Sequence, residues 1–133
     1  MDKRLERILP RVQKPARYTG GEYNAVMKDK SGVDTRFAFC FPDTYEIGMS
    51  NLGFRILYGV LNQMPGVWCE RVFTPWPDME EELRKNGISL YALESGDPVG
   101  DFDIIGFSVG YEMAYTAMLN MLDLGGLPLR AED

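Results

Sequence analysis

The sequence predicts an α/β fold built on a doubly wound parallel sheet. Three observations support this prediction: short apolar runs alternate with segments of helical periodicity, the first run is apolar at consecutive positions, and 133 residues suit one domain. A strand that is covered by helices on both faces carries apolar side chains on both faces. Because helices rather than tight turns separate the predicted strands, we expect them to pair in parallel.

The strand predictions rest on four apolar runs. In the first, residues 35–41, Phe37, Phe39 and Phe41 alternate with smaller apolar side chains. The other three are residues 67–73, 88–93 and 104–109. Residues 127–129 look like the approach to a fifth strand that the chain does not complete. We therefore expect a Rossmann-like or flavodoxin-like sheet, truncated before its last strands.

Four helical segments are predicted around these strands: residues 1–13, 52–64, 78–86 and 111–124. In the second segment, Ser50 or Asn51 can cap the start, and Arg55 and Asn62 are expected to face away from the core. Its apolar residues recur at spacings of three and four, which predicts a buried face; they are Leu52, Ile56, Leu57, Val60, Leu61 and Met64.

The two later helices have clear faces as well. Met79 and Leu83 are expected to point inward from the third segment, and Gly87 is expected to end it. The fourth segment is mostly apolar, and its polar stripe is limited to Thr116, Asn120 and Asp123. The predicted organisation is an N-terminal helix and entry arm over residues 1–34, followed by an incomplete α/β domain over residues 35–133.

Composition excludes most site chemistry. The chain has no histidine, so a His general base, a His metal ligand and a His pH switch are excluded. Its two cysteines, Cys40 and Cys69, are too few to hold an iron–sulfur cluster or a structural zinc ion. With 14 Lys+Arg against 20 Asp+Glu, the net charge of −6 argues against direct nucleic-acid binding. Sparse cysteines without a signal peptide favour a cytoplasmic location, and no apolar run is long enough to span a membrane.

The predicted ligand site lies in two loops that follow strands. Ligands of doubly wound sheets bind at the carboxyl ends of the strands, which here points to residues 42–51 and 109–112. The first loop has a single glycine, Gly48, which is too few for the dinucleotide-binding fingerprint. Asp43 and Glu46 of the same loop could form an acid pair, but such carboxylates are more often capping and solvent groups.

The first loop resembles a known motif. Residues 43–48 have the frame Asp-x-Tyr-x-x-Gly, which is similar to the Asp-x-His-x-x-Gly signature of cobalamin-binding domains, with Tyr45 in the position of the His. Those domains carry Ser-x-Leu after a later strand; here Ser108 matches and is followed by Val109 and Gly110. The glycine pair of the third signature element would lie beyond a fifth strand.

Most of the chain, from about residue 14 onward, resembles the amino-terminal segment of a bacterial subfamily of radical S-adenosylmethionine (SAM) proteins. These proteins carry a cobalamin-binding-like domain ahead of a radical SAM barrel. The resemblance therefore implies a parent protein that is an enzyme, with S-adenosylmethionine and a 4Fe–4S cluster in a barrel outside this chain. The matching stretches are residues 14–18, 37–39, 41–53, 69–79, 93–95 and 119–123.

The resemblance implies cofactor-binding roles for Asp43, Tyr45, Gly48, Ser108 and Gly110, and no catalytic or metal-binding residue in this chain. Two interpretations stay open. In the first, cobalamin binds base-off, Tyr45 covers its lower face without acting as a ligand, and Ser108 binds the nucleotide tail. In the second, cobalamin binding has been lost, the scaffold packs on the barrel or holds substrate, and Ser108 caps the following helix.

The expected partner is the radical SAM barrel of the same polypeptide. A hypothesis from another class is a non-catalytic interaction module, in which the Met-rich last helix and the open sheet edge dock a partner chain. The same open edge also favours a homodimer.

Overall fold

The computed structural model, which describes residues 2–133, contains a parallel sheet of three strands in the order β2-β1-β3. The strands are β1 (Thr35–Phe41), β2 (Val67–Phe73) and β3 (Ile104–Phe107). The register pairs Phe39 of β1 with Arg71 of β2 and with Gly106 of β3. The central strand therefore has two parallel neighbours, and the α/β parallel-sheet prediction is confirmed.

Five α-helices lie around this sheet within the described residues: α1 (Lys3–Ile8), α2 (Tyr45–Met49), α3 (Leu52–Gln63), α4 (Pro77–Asn86) and α5 (Ala114–Leu124). The predicted cap of α3 is confirmed, because the Asn51 side chain accepts a hydrogen bond from the Phe54 N–H. Gly87 ends α4 with a left-handed φ of 63°, also as predicted. Among residues 2–133, no helix combines the length and apolar character needed to cross a bilayer.

Two hydrophobic layers cover the two faces of the sheet. Alternate residues of β1 point to opposite faces, so Phe39 packs with Phe54 of α3, whereas Cys40 packs on the α5 side. The entry helix shares the first layer, since Leu5 and Ile8 are buried in it. Met79 and Leu83 also point inward, as predicted; the second layer includes Ala38, Val72, Met121 and Leu124.

The strand predicted at residues 88–93 is absent, and that prediction is wrong. The backbone N–H groups of this segment bond to four different places: Ile88 to Leu83, Leu90 to Leu124, Ala92 to Asp97 and Leu93 to Arg71. A strand would direct its N–H groups to one neighbouring ladder. The apolar run is buried because it crosses between elements, not because it belongs to the sheet.

The predicted orientation of the helix at residues 52–64 is largely wrong, although Leu61 packs against the core and Arg55 is exposed, as predicted. Leu52, Ile56, Leu57, Val60 and Met64, here called the outer flank of α3, are 48–68% exposed. The buried side instead carries Phe54, and Asn62 points inward, where its side chain donates to the Cys69 carbonyl and accepts from the Cys69 N–H. The Asn62 amide faces the sheet because the Cys69 N–H and carbonyl of β2 need hydrogen-bond partners there, which an aliphatic side chain cannot supply. The Phe54 ring packs on Phe39 of β1.

The last helix begins at Ala114 rather than at residue 111. Two residues of its polar stripe pack against α4: Arg84 bonds to Asp123 at 2.8 Å and to Asn120 at 2.9 Å, whereas Thr116 is exposed and bonds to the Met113 carbonyl. Asn120 and Asp123 therefore form a contact between two helices.

Candidate functional site

The two loops predicted as the ligand site lie at the same edge of the sheet. β1 and β3 are parallel neighbours, so their carboxyl ends are adjacent. The Ser108 N–H donates to the Cys40 carbonyl at 3.0 Å, which holds the start of the second loop against the end of β1. The topology thus brings together the two chain segments that the motif singled out.

The first loop is fastened to the ends of the strands. The Asp43 carboxylate accepts a hydrogen bond from the Thr44 N–H at 2.7 Å, and the Asp43 carbonyl accepts from the Thr74 N–H at 2.9 Å. Gly48 lies over Phe73, where an added Cβ would come within 2.2 Å of the ring. The space at Gly48 is therefore filled by an aromatic ring of the chain itself.

Tyr45 turns from this loop toward the interior. Its ring meets Phe73 edge-on with 5.4 Å between centroids, and its hydroxyl donates to the Glu22 carboxylate at 2.5 Å. Burial and the neighbouring Glu22 carboxylate both raise the pKa of Tyr45, so the neutral phenol is favoured. Tyr45, which stands in the position of the motif histidine, thus bonds to Glu22 of the entry arm.

Glu22 leads from Tyr45 to a buried arginine. Arg71 of β2 donates through both terminal nitrogens to Glu22, at 3.0 and 2.8 Å, and through Nε to Glu94 at 2.6 Å. Only 3% of the Arg71 side chain is exposed, and its guanidinium lies 5.4 Å from the Tyr58 ring centroid. The Tyr58 hydroxyl donates to Glu94 at 2.9 Å, which completes a network joining the arm, α3 and β2.

The two carboxylates of this network differ in their electrostatics. Burial alone would raise the pKa of Glu22, but hydrogen bonds from Arg71 and Tyr45 outweigh it and lower the pKa to about 2. Burial raises the pKa of Glu94, whose side chain is fully enclosed, although Arg71 opposes the shift. Glu22 is therefore firmly ionised, and it neutralises Arg71 from the solvent side.

A cavity of about 480 Å³ opens beside this network, between the entry arm and α3. Arg71, Tyr58 and Phe54 form its inner wall, Arg55 and Met49 contribute from the helix side, and residues 22–25 form the arm side. Its volume falls in the range of small-molecule pockets. Charged and aromatic groups line it together.

The second loop contributes less. Among the described residues no side chain caps α5, whose preceding residue is Met113, so Ser108 does not act as its cap. Gly110 faces open space, with nothing within 4 Å of a Cβ built there. Asp43 and Glu46 do not form an acid pair, which agrees with the prediction that they are capping and solvent groups: Asp43 accepts from the Thr44 N–H, and the half-exposed Glu46 pairs with Arg17 at 2.5 Å.

The cysteines lie inside the sheet. Cys40 and Cys69 are 1% and 0% exposed, and burial raises the pKa of both thiols, that of Cys69 to about 12. Over residues 2–133, no group of three or more His, Cys, Asp or Glu side chains is arranged to hold a metal ion.

The Arg71 network is the part of the site that sequence reasoning missed. The signal was present as two adjacent charges, Glu70 and Arg71, in the middle of an apolar strand. Glu70 points to the opposite face, where it is fully buried and pairs with Arg36 at 2.5 Å. Since unpaired buried charges are strongly unfavourable, a charged pair within a strand predicts partners on both faces. The sequence could not identify the partners of Arg71, since Glu22 and Glu94 are distant from it along the chain.

The three-stranded parallel sheet and the paired loops at its carboxyl edge define an α/β domain of the doubly wound class. A family model described as "Radical SAM proteins, N-terminal" matches residues 53–133, so the chain belongs to this family. Ser108 and Gly110 fall inside the matched region, whereas Asp43, Tyr45 and Gly48 precede it. No curated protein and no solved structure matches the chain.

Proposed function

We propose that this chain is the accessory domain of a radical SAM enzyme, and that it positions cofactor or substrate for a barrel that carries the 4Fe–4S cluster and binds S-adenosylmethionine. The observation that carries the proposal is the family match over residues 53–133. The burial of Cys40 and Cys69 agrees with a cluster held elsewhere, because two enclosed thiols whose pKa is raised cannot supply the set of thiolates that a 4Fe–4S cluster needs. A cytoplasmic location fits the same two reduced thiols and stays a prediction.

Cobalamin binding is the finer part of the proposal, and the Tyr45 hydroxyl does not suit the role of a cobalt ligand. The Tyr45 hydroxyl donates to Glu22, and the raised pKa of Tyr45 disfavours the phenolate that a metal would need. The space at Gly48 is filled by Phe73. We therefore favour a scaffold that has kept its loops at the sheet edge without the lower cobalt ligand.

A titration with hydroxocobalamin tests this part. We expect the chain to show no Tyr-ligated cobalt spectrum, and Tyr45→Phe to behave like the wild type. Tyr45→His restores the motif frame and is the matched gain-of-function variant. Tight comigration of hydroxocobalamin with the wild type, lost in Tyr45→Phe, would show instead that Tyr45 contacts the corrin.

The enzyme assignment is tested on the parent polypeptide. We expect its reading frame to encode a Cys-x-x-x-Cys-x-x-Cys motif and its purified product to bind an iron–sulfur cluster after reconstitution, whereas residues 1–133 alone bind none. A parent polypeptide that lacks the motif and the cluster would contradict the proposal.

A second candidate is the non-catalytic interaction module. It is favoured by exposed apolar side chains on and before α5, namely Tyr111, Met113, Tyr115 and Leu119. The cluster measurement separates the two candidates, since an interaction module requires no radical SAM barrel.

A further inference from the structure

The cavity between the entry arm and α3 has an inner wall on the body of the domain and an outer wall on the arm. Phe54 of α3 and Arg71 of β2 belong to the inner wall, and both side chains are almost fully enclosed. Residues 22–25 form the outer wall, where the Tyr23 side chain is fully exposed to solvent. A molecule in this cavity would therefore lie between the core of the domain and a surface segment.

The Arg71 guanidinium lines this cavity in the geometry that binds carboxylates. Its Nε donates to Glu94, whereas its two terminal nitrogens donate to Glu22, at 3.0 and 2.8 Å. Each terminal nitrogen meets a different oxygen, so two parallel hydrogen bonds hold the Glu22 carboxylate. A planar guanidinium offers the same two donors to any carboxylate that reaches it. This side of Arg71 is therefore a carboxylate site that the arm itself fills.

Glu22 is the exchangeable member of the two carboxylates on Arg71. The Glu94 side chain is fully enclosed and stays paired with Arg71, so withdrawal of Glu22 leaves no uncompensated buried charge. The Glu22 side chain, in contrast, is 32% exposed. Another carboxylate that replaces Glu22 would conserve both the charge of the network and the hydrogen bonds of Arg71.

The backbone before Glu22 provides a pivot for this exchange. Gly20 and Gly21 have φ values of 62° and 80°, in the left-handed region that favours glycine. Gly20 is fixed by packing, because a Cβ there would come within 2.6 Å of the Leu93 carbonyl oxygen. Nothing lies within 4 Å of a Cβ built on Gly21. The arm can therefore turn at Gly21 while Gly20 keeps its place.

The backbone after the cavity is anchored again. The Val26 N–H donates to the Tyr58 hydroxyl at 2.9 Å, and the Val26 carbonyl accepts from the Trp68 indole N–H at 2.9 Å. Residues 22–25 thus form a short strap between two fixed points. The Glu22 side chain is the group that closes this strap on Arg71.

The remaining lining indicates which carboxylates fit. Phe54 and the Tyr58 ring supply aromatic surface, and the exposed Arg55 adds a positive charge from α3. A cavity of about 480 Å³ is large enough for a small organic molecule. We propose that this cavity binds a small carboxylic acid with an apolar body, and that Glu22 is a built-in occupant which the acid replaces on Arg71. This inference goes beyond the proposed function and does not depend on it.

Binding of phenylacetate to the full parent polypeptide, measured by isothermal titration calorimetry, tests the inference. The wild type should bind phenylacetate. Glu22→Ala should bind it at least about 10-fold more tightly, because the variant lacks a tethered competitor whose effective concentration is on the order of millimolar. The matched control is Glu81→Ala, which removes an exposed carboxylate from α4 and should keep the wild-type affinity. Phenylacetamide has the same apolar body without the charge, and it should bind to Glu22→Ala at least about 10-fold more weakly than phenylacetate.

A further variant locates the binding site at Arg71. When it is added to Glu22→Ala, Arg71→Lys keeps the positive charge but loses the two parallel donors, so the gain in affinity should disappear. If this double variant fails to fold by circular dichroism, Ala25→Trp replaces Arg71→Lys. Ala25→Trp fills the cavity from the arm side, leaves Arg71 in place and should abolish binding.

The other results would overturn the inference. Equal affinities of Glu22→Ala and Glu81→Ala would show that Glu22 does not occupy the binding site. Equal affinities for phenylacetate and phenylacetamide would show an apolar cavity that does not recognise the carboxylate. Binding to Glu22→Ala but not to the wild type would show that Glu22 is a permanent partner of Arg71, and binding to neither would show that the cavity takes no such acid. A gain that persists in the Arg71→Lys or Ala25→Trp variant would place the site elsewhere.

Discussion

At the scale of single residues, Arg71 is the group on which the site depends. Its guanidinium holds Glu94, whose side chain is fully enclosed, and Glu22 of the entry arm. Replacing one partner of a buried ion pair leaves the other charge uncompensated. We expect Arg71→Met to lower the free energy of unfolding by about 3–5 kcal/mol, measured by urea denaturation.

The matched control is Arg55→Met, which removes an exposed arginine from the wall of the same cavity. It should change the free energy of unfolding by about 0.5 kcal/mol or less. In the double variant Arg71→Met with Glu94→Leu, part of the loss should be recovered, because the fully enclosed Glu94 carboxylate is removed together with its partner. Equal effects of the two arginine variants would show that the network does not stabilise the fold.

Glu22 gives the network a pH dependence of known sign. Its folded pKa of about 2 lies below the ordinary value of 4.5, so its contribution is present above pH 4.5 and is lost as the pH falls toward 2. We expect Glu22→Gln to lower the free energy of unfolding at neutral pH by about 2 kcal/mol, a figure discounted for the partial exposure of Glu22. The difference between wild type and variant should shrink toward zero near pH 2 in unfolding curves. A difference that stays constant with pH would contradict the role of the carboxylate.

The residues of the site were only partly predictable from sequence. The Asp-x-Tyr-x-x-Gly frame located the loop after β1, and the topology confirms that this loop and Ser108 meet at one edge of the sheet. The direction of Tyr45 was not predictable, because it depends on Glu22, which approaches from the entry arm. The cofactor roles of Asp43, Gly48 and Gly110 stay predictions.

At the scale of elements, α3 shows how far periodicity can mislead. Its aliphatic residues recur at helical spacing, yet they form the exposed outer flank, while Asn62 faces β2. We expect Asn62→Leu to lower the free energy of unfolding of residues 1–133 by about 2–4 kcal/mol, because the Cys69 N–H and carbonyl lose their partners.

The control for this prediction is Leu57→Gln on the opposite side of the helix, which should change stability by about 0.5 kcal/mol or less. Urea denaturation of both variants measures the contrast. The hydrophobic pattern alone predicts the reverse order, so a larger loss in Leu57→Gln would restore that interpretation.

The same comparison separates what local sequence can specify from what it cannot. The bounds of β1 and β2 agree with the prediction, because β1 alternates Phe with small apolar residues and β2 is rich in Val and aromatic residues, and both patterns fit a pleated, covered strand. The segment at residues 88–93 has the same apolar character but no ladder partner, and pairing is a property of the whole sheet. Periodicity predicts that a helix forms. Which side of the helix is buried depends on the groups that the neighbouring strand exposes to it, here the Cys69 N–H and carbonyl of β2.

At the scale of the whole molecule, both outer edges of the sheet lack a further strand within residues 2–133, but the edge of β2 is covered by hydrogen bonds from Asn62 and Leu93. β1 is bonded on both edges, but β3 has a neighbour on one edge within residues 2–133. The Ser108 N–H points to β1, and N–H groups alternate along a strand, so those of Ile105 and Phe107 point outward. Unpaired edges of this kind are templates for further strands.

Hydrogen exchange can therefore report whether the rest of the parent polypeptide completes the sheet. In residues 1–133 alone, we expect the amides of Ile105 and Phe107 to exchange at least about 100-fold faster than those in the middle of β1. In the parent polypeptide they should become protected, and the amide of Phe39 serves as the internal control because it is bonded in both. Protection that appears in residues 1–133 only at high concentration would indicate a homodimer through this edge. Fast exchange in the parent polypeptide would show that the edge of β3 stays open and that the accessory domain meets its barrel elsewhere.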